Sequence, residues 1–235
     1  KKMLSLAMVA LVAIPMVAYS ASGLMANAAE EVEEQTAYIP AEEGRLLNVC
    51  FPDSIFARYV YENVLKHGKL VPNDYVLTET DVNAIKTTTQ INNCDVGRNL
   101  QNLTGIQNFE MLEKLDFRHT NVANLDLSKN AKLKSLLCGH TDIKSLDISK
   151  NPELSILDCS YTGIISLDVS KNKQLTNLNC SNTGITNLDV SKNTKLRELD
   201  CSNTGITKLD ISKNKKLDSL TCTKTRIIFK KTHII

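Results

Sequence analysis

Residues 175–195 of this sequence read LTNLNCSNTGITNLDVSKNTK, and residues 196–216 read LRELDCSNTGITKLDISKNKK. Both stretches are 21 residues long, and they are identical at most positions. Their cysteine recurs with the same period, at Cys138, Cys159, Cys180, Cys201 and Cys222. Self-similarity at a fixed period of this length predicts a solenoid, in which each repeat forms one turn that stacks on the next.

Four aliphatic positions accompany the cysteine in every turn. The first two are leucines, at Leu112, Leu133, Leu154, Leu175, Leu196 and Leu217, and at Leu115, Leu136, Leu157, Leu178, Leu199 and Leu220. The third holds Val122, Ile143, Ile164, Ile185, Ile206 and Ile227, and the fourth holds Leu125, Leu146, Leu167, Leu188 and Leu209. A single helix cannot bury residues at this spacing, because they drift around its surface. Stacked turns bury them against each other. The alternation from the second leucine to the cysteine predicts a short strand in each turn, and hence a parallel sheet along one side.

Two polar positions also recur and have a predicted structural role. A threonine follows each strand, at Thr120, Thr141, Thr162, Thr183, Thr204 and Thr225. Its hydroxyl can satisfy backbone groups where the chain leaves the strand. An asparagine at Asn130, Asn151, Asn172, Asn193 and Asn214 can do the same at the return turn.

This template resembles the cysteine-containing, 21-residue leucine-rich repeats of the internalin class of bacterial surface proteins. The resemblance covers about residues 103–229 and rests on five near-copies of the repeat. It implies an α/β fold, namely a right-handed curved solenoid with a concave parallel sheet and an irregular convex side. It also implies adhesion or protein binding, often at a host or cell surface. We expect about six such turns over residues 103–235.

Residues 49–102 have the features of a helical N-terminal cap, which a solenoid needs to cover its first turn. Asp53 can cap a helix in which Phe56, Val60 and Val64 share one face, and Gly68 can end it.

A second cap helix is predicted after residue 78. Thr78 and Asp81 form a capping-box pattern, and Leu77 and Val82 are placed as a hydrophobic staple. Caps of similar bacterial repeats often carry a calcium loop between their helices. The chain has Lys66-His67-Gly68-Lys69 there instead, and a hard cation needs several oxygen ligands. We therefore predict neither a calcium site nor another cofactor.

The N-terminus has the features of a secretory signal peptide over residues 1–28. Two lysines precede an apolar run, and a small-x-small cleavage pattern ends at Ala28. An uncleaved membrane anchor is the alternative. Pro15 and the shortness of the run argue against it, because a spanning helix needs ~20 apolar residues. Residues 29–48 carry six glutamates and little to bury, which favours a flexible acidic linker.

The charge balance of the mature chain excludes two classes of partner. The full sequence carries a net charge of +2, and cleavage removes two lysines and no acid. A neutral chain does not indicate nucleic-acid binding or polybasic membrane attachment. No membrane insertion is expected after cleavage, so the sequence predicts a secreted or cell-surface protein.

The C-terminal end of the repeat leaves two interpretations open. Lys230 occupies the place of a buried leucine, so the pattern breaks after Phe229. Either Ile227, Ile228 and Phe229 form an improvised cap, or the natural protein continues. A catalytic module in a further C-terminal part also remains open.

The cysteines of the repeat are expected to form a buried column of reduced thiols. Successive Cβ atoms in a parallel sheet lie about 4.8 Å apart with parallel vectors, which suits neither a disulfide nor a convergent zinc site. Cys50 and Cys94 lie in the cap instead, and secretion permits a disulfide between them. Two buried free thiols are the alternative.

Two further columns of residues are candidate sites. His119 and His140 fall on adjacent turns and suggest a metal pair, but a third ligand is missing, so solvated edge residues are the preferred interpretation. A lysine column suggests a stripe for polyanions. An aspartate column runs beside it, which favours charge compensation within a solvated face. The lysines are Lys129, Lys150, Lys171, Lys192 and Lys213, and the aspartates are Asp126, Asp147, Asp168, Asp189 and Asp210.

The sequence contains no recognisable catalytic motif, so we expect a binding protein and not an enzyme.

Side chains that flank the inward leucine and cysteine should face the concave side, and they vary between turns while the structural positions do not. Leu137 and Ile156 are the apolar members, among charged neighbours, which resembles an interface centre with a polar rim. The alternative is that both pack locally. The predicted ligand is an extracellular protein, or a glycan. The alternative function is a non-catalytic repeat stalk or a glycan-binding module of a larger surface protein or enzyme. The candidate binding residues are Lys114, Asp116, Leu137, Ile156, Asp158, Asn177, Asn179, Glu198 and Asp200.

Overall fold

A parallel sheet of short strands runs the length of the repeat region. The computed structural model describes residues 38–68, 74–92 and 99–227, so the predicted signal peptide, Cys94 and the end of the chain after residue 227 lie outside the described residues. The sheet has seven strands in sequence order. They are β1 (Gln90–Ile91), β2 (Lys114–Asp116), β3 (Ser135–Leu137), β4 (Ile156–Asp158), β5 (Asn177–Asn179), β6 (Glu198–Asp200) and β7 (Ser219–Thr221).

The helical elements lie at the N-terminal end of the described region. They are α1 (Leu47–Cys50), α2 (Ser54–Tyr59) with a π-helical turn at Val60–Val64, α3 (Glu79–Thr87), and a 3-10 turn at Ile106–Asn108. From β2 onward each strand pairs in parallel with the residues one repeat later, as Leu157 does with Leu178. The stacked leucine-rich-repeat solenoid predicted from the period is therefore confirmed.

The interior of the solenoid consists of columns of equivalent residues. The leucines of β2 to β6 and the first four cysteines of the column are at most 2% exposed, and Leu220 of β7 is partly buried. A fifth apolar column lies two residues after the predicted fourth one, and its members are Leu127, Ile148, Val169 and Val190. Its side chains are more deeply buried than Leu146, Leu167 and Leu188. The sequence analysis missed this column because it lies inside the polar return turn.

The threonine and asparagine columns bind the backbone as predicted. Each threonine hydroxyl donates to the carbonyl three residues earlier, as Thr162 does to Cys159 at 2.7 Å. Each buried asparagine donates from Nδ2 to two carbonyls of the preceding turn. For Asn172 these belong to Ile148 at 3.0 Å and Asn151 at 2.8 Å. These bonds stabilise the return turn, because a buried carbonyl without a hydrogen-bond partner costs about 1–3 kcal/mol.

Asp53 joins the cap to the first turn of the solenoid. One carboxylate oxygen accepts from the amides of Ile55 and Phe56, so Asp53 caps α2 as predicted. The other oxygen accepts from the amides of Gln101 and Asn102, both at 3.1 Å. The Asp53 side chain thus connects the start of α2 to the residues that precede the first turn of the solenoid.

An aromatic cluster fills the space between the cap and the entry turn, which comprises residues 103–112 before β2. The ring centroids of Phe51, Phe56 and Phe109 lie 5.5–6.3 Å apart. Gly105 has a φ of 99°, and a Cβ there would collide with the Cys50 carbonyl oxygen and the Phe51 ring. Glycine is therefore required at this position for the entry turn to pack on the cap.

The inward face of the first cap helix differs from the prediction. Phe56 and Val60 are buried, but Val64 is only partly buried and Leu65 is buried in its place. The cause is the π-helical turn, in which the Leu65 amide donates to the Val60 carbonyl. Such a turn inserts one residue into the helix, so the inward position moves from Val64 to Leu65.

Residues 38–48 pack against the entry turn, although the sequence analysis assigned them to the acidic linker. Ala41 and Leu47 are buried, and the Ala41 amide donates to the Asn108 side chain at 2.6 Å. The Tyr38 hydroxyl donates to the same oxygen at 3.2 Å. Glu42 and Glu43 are the two acidic residues of this segment, and both are exposed. Its few apolar residues are enough to fasten it, so the folded region includes residues before the predicted boundary.

A buried carboxylate fastens the start of α3. Thr78 and Asp81 form the predicted capping box. Asp81 also accepts from the Tyr75 hydroxyl at 2.8 Å and lies 2.7 Å from Nε2 of His67. Burial opposes ionisation of Asp81, but hydrogen bonds from Thr78, His67 and Tyr75 hold its pKa at about 2. His67 belongs to the loop between the cap helices, where caps of similar repeats often carry calcium. In this chain the imidazole of that loop contacts the Asp81 carboxylate.

We predict that Asp81→Asn destabilises the protein in a pH-dependent way. The folded pKa of Asp81 lies below the unfolded value of 3.8, so its contribution is complete above that value and is lost as the pH falls through about 2. A shift of this size corresponds to roughly 2 kcal/mol. Urea unfolding at pH 7 and at several values between pH 4 and 2 measures the difference between wild type and variant. The difference should shrink as the pH falls, whereas the exposed Asp74→Asn control should show little effect at any pH. A difference that stays constant contradicts the role given to the ionised carboxylate.

We predict that Leu178→Asp disrupts the turns around it. Leu178 is 2% exposed. Burying a leucine is worth ~1.5–3 kcal/mol, and an unpaired buried carboxylate costs more. Thermal denaturation should show a strongly lowered midpoint. Ile156→Asp introduces the same charge at an exposed outward position of the preceding strand and should melt much closer to wild type. Equal melting of the two variants would contradict the inward orientation of Leu178.

Candidate binding surface on the sheet

The outward side chains of the strands form a continuous surface. In each of β2 to β7 the middle leucine points into the core, and the first and third residues point outward. We call the surface made by these outward residues the sheet face. It contains every candidate binding residue named from the sequence, because all nine are first or third residues of β2 to β6.

Six of those nine residues lie together in one shallow depression. It has a volume of about 260 Å³. The candidate residues that line it are Ile156, Asp158, Asn177, Asn179, Glu198 and Asp200. Ser219 and Thr221 of β7 line it as well and were not among the candidates. Lys114, Asp116 and Leu137 belong to β2 and β3, outside the depression.

The third strand residues have a structural role in addition to their outward position. Asp158 accepts from the Ser160 amide at 3.1 Å and from its hydroxyl at 2.7 Å. Asn179 and Asp200 accept in the same way from the amides two residues later. Each of the three uses Oδ1 to stabilise the turn that follows the strand. For Asp158 and Asp200, Oδ2 makes no hydrogen bond to the residues that the structure describes.

Other polar members of the sheet face are bonded to neighbours. Asn177 donates to Glu198 at 2.7 Å across adjacent strands. Asp116 is buried and receives two bonds from the Arg118 guanidinium, at 3.0 and 2.9 Å. Both carboxylate oxygens of Asp116 are occupied by this bidentate pair, so they are less available to a ligand than those of Asp158 and Asp200. Asp116 is therefore the candidate that the structure favours least.

The depression is acidic. Its lining residues include three carboxylates, from Asp158, Glu198 and Asp200, and no lysine or arginine. Lys114 lies on β2, two strands before the depression begins. The sheet face is therefore asymmetric in charge along the solenoid, which charge counting over the whole chain could not reveal.

A column of residues with left-handed backbone borders the sheet face where the strands end. Its members have φ between 52° and 63°, and they are His119, His140, Tyr161, Asn182, Asn203 and Lys224. The rings of His119 and His140 stack with centroids 4.5 Å apart, and those of His140 and Tyr161 with centroids 4.1 Å apart. Stacked imidazoles direct their nitrogen lone pairs side by side, so the pair does not converge on a single ion. The sequence analysis found the histidines but missed the left-handed conformation, which the asparagines of the column indicate.

The cysteine column lies behind the sheet, and its thiols are free in the described residues. Burial raises the pKa of Cys201 to about 11, and it raises the pKa of Cys138, Cys159 and Cys180 further. Thiolate is the reactive form of cysteine, so these side chains are poor nucleophiles. Cys50 is also buried and free, and burial raises its pKa. The disulfide to Cys94 stays a prediction, because Cys94 lies outside the described residues.

The aspartates of the return turn have a different role from the one predicted. Each accepts from the amide of the serine two residues later, at 2.8–2.9 Å. Those bonds, more than the adjacent lysines, hold the pKa of Asp147, Asp168 and Asp189 below its usual value. The aspartate column therefore closes the return turns, and compensation of the lysines is secondary.

The solenoid is similar to solved structures of Listeria monocytogenes internalins. The functional domain of InlJ, which includes a cysteine ladder, is 29% identical with a TM-score of 0.62, over 81% of this chain and 46% of that domain. Internalin C2 is 18% identical with a TM-score of 0.65, over 82% of this chain and 93% of that one. InlF is 17% identical with a TM-score of 0.58, over 80% of this chain and 61% of that one.

The chain therefore has a leucine-rich-repeat solenoid similar to that of these internalins. It spans about half of the InlJ domain, and the two other internalins support the fold alone. No family model and no curated protein sequence matches it. In the part of this internalin-like chain that the structure describes, no helix is long and apolar enough to cross a membrane. The same residues place no three histidines, cysteines or acids where they could hold one metal ion.

We predict that the five column cysteines are reduced in the folded protein. Alkylation under denaturing, non-reducing conditions, followed by mass spectrometry, should label Cys138, Cys159, Cys180, Cys201 and Cys222. Under native conditions Cys222 should react faster than Cys180, since it is only partly buried and Cys180 is fully buried. Disulfides between column members would contradict the parallel arrangement of their side chains.

Proposed function

We propose that this chain is a secreted or cell-surface binding protein that recognises a protein ligand through the concave side of its sheet, without catalysis. The observation that carries the proposal is the contrast between the two sides of each strand. The inward positions repeat leucine and cysteine from turn to turn, whereas the outward positions change from one turn to the next, and those of β4 to β7 line one depression.

The dimensions of the depression favour a macromolecular ligand. Small-molecule sites usually enclose about 300–1,000 Å³. The depression is smaller, at about 260 Å³, and open along the sheet. It suits a side chain projecting from a larger partner better than an enclosed substrate. The similarity to Listeria internalins supports the same class of function, and it extends as an expectation to adhesion at a surface.

Preformed complementarity is the proposed mechanism of recognition. The strand backbone is held on both sides by the sheet, and Asp158 and Asp200 are held further by the turn bonds of their Oδ1 atoms. Little ordering entropy is then lost on association. Ile156 and Leu137 supply apolar area, and the Oδ2 atoms of the two aspartates supply acceptors with defined direction.

A glycan is the second candidate ligand, favoured by the amides and hydroxyls in the depression. Asn177, Asn179, Ser219 and Thr221 line it together with the acids. Sugar hydroxyls are recognised by such groups. The exposed Ile156 on the same surface favours a protein, because it offers apolar burial that a hydrophilic sugar uses less well.

We predict that changing Leu137 and Ile156 to Ser weakens binding by about 10-fold or more. Truncation of an interface hot spot typically costs above 1 kcal/mol, and two are removed together. The partner is first isolated by pull-down from host and bacterial surface extracts with the full chain, and its affinity is then measured by surface plasmon resonance. Circular dichroism and melting should change little, since Ile156 is exposed and Leu137 is only partly buried.

The matched control changes Lys171 and Lys192 to Ser on the return side, where both are exposed. It should leave the affinity unchanged. If the control weakens binding and the double change on the sheet face does not, recognition lies on the convex side. If neither change matters, the binding element lies outside the sheet face and the proposal is wrong.

A further inference from the structure

One turn of the solenoid differs from its neighbours by carrying three exposed hydrophobic side chains. Ile156 is 40% exposed, Tyr161 is 53% exposed and Ile165 is 70% exposed, and all three belong to residues 154–174. The next turn carries polar residues at the same places. They are Asn177, Asn182 and Thr186. We call Ile156, Tyr161 and Ile165 the apolar band.

The apolar band runs around the edge of the solenoid instead of along the sheet. Ile156 begins β4 on the sheet face, Tyr161 follows the end of β4, and Ile165 lies four residues further on. A partner that covers all three must therefore hold the sheet face and the adjoining edge together.

The position of Tyr161 does not require an aromatic side chain. Its φ is 54°, in the left-handed region that the equivalent residue of each turn from His119 to Lys224 also adopts. Asn182 and Asn203 occupy it in the following turns, and asparagine accepts this conformation more readily than tyrosine. Tyr161 therefore supplies exposed apolar surface that the following turns lack.

Two side chains of the apolar band contact neighbouring turns. The Tyr161 ring stacks on His140 with an interplanar angle of 11°. Ile165 fills the space above Gly184, where a Cβ would lie 2.9 Å from its Cγ2 atom. Exposed hydrophobic residues that are already immobilised lose little rotamer entropy on association. Such residues are typical anchors at the centre of protein interfaces.

The charges beside the apolar band decide the chemistry of the partner. Asp158 lies two residues after Ile156, and Glu198 and Asp200 extend the same negative surface across the depression. No cation lines that depression. A lysine or arginine side chain can lay its methylenes on Ile156 while its charge reaches the free Oδ2 atoms of the aspartates.

We propose that the apolar band anchors a polypeptide segment in which apolar side chains flank a lysine or arginine, and that the basic side chain enters the depression on the sheet face. The inference rests on the proposed function and specifies its partner. The apolar residues of the segment cover Tyr161 and Ile165, so the interface extends from the sheet face around the edge of the sheet.

Selection from a random-peptide display library against the full chain tests the proposal. The enriched peptides should contain lysine or arginine next to apolar residues. Synthetic copies, measured by fluorescence anisotropy, should bind ~10-fold or more weakly to a chain with Ile156→Asn, Tyr161→Asn and Ile165→Thr. These residues occur at the same places in the next turn, so the fold should tolerate them. The pair Asp158→Asn and Asp200→Asn should weaken binding similarly and reduce its dependence on salt.

Several outcomes overturn the proposal. They are peptides without basic residues, peptides that bind the triple variant as well as wild type, and a selection that enriches no sequence. Lys171→Ser with Lys192→Ser is the control and should bind as wild type. Peptides that lack basic residues but lose affinity with Leu137→Ser and Ile156→Ser would refute this inference while supporting recognition by the sheet face. The extract partner tests the proposed function independently of the library.

Discussion

The buried asparagine of each return turn is the contact on which the rest of the solenoid depends. Its Nδ2 group donates to two carbonyls of the preceding turn, which for Asn193 lie on Val169 at 3.0 Å and Asn172 at 2.9 Å. Both acceptors lie at fixed offsets in the chain, so a turn of another length would leave them unpaired in the interior. The 21-residue period is thus a hydrogen-bonding constraint as much as a hydrophobic one.

A fixed period determines where variation is permitted. Inward positions face the same column in the neighbouring turns, so a change in one side chain must be accommodated by two others. Outward residues of the strands meet no such column, and the left-handed residue after each strand tolerates His, Tyr, Asn and Lys. The sheet face and its edge are therefore surfaces on which residues can vary between turns. Binding specificity can change there without disturbing the stack.

The period predicted the fold because it repeats five times, and features that occur once were harder to predict. The π-helical turn at Val60–Val64 has no sequence signal that we recognise, and it moved a buried position from Val64 to Leu65. The side chains of the candidate binding residues were predicted to point outward, and they do, because alternation within a strand depends only on adjacent residues. Their grouping was not predictable. Only the stacked backbone shows that Asp200 shares a depression with Ile156 while Leu137 does not.

Exposed hydrophobic residues in one turn connect the fold to recognition. The next repeat carries Asn182 and Thr186 at the positions equivalent to Tyr161 and Ile165, so the stack accepts polar side chains there. Tyr161 stacks on His140, but both residues leave much of their hydrophobic surface exposed to water. The stack alone therefore does not account for hydrophobic residues at both positions. Contact with a partner accounts for them, because it buries the same hydrophobic surface that water now meets.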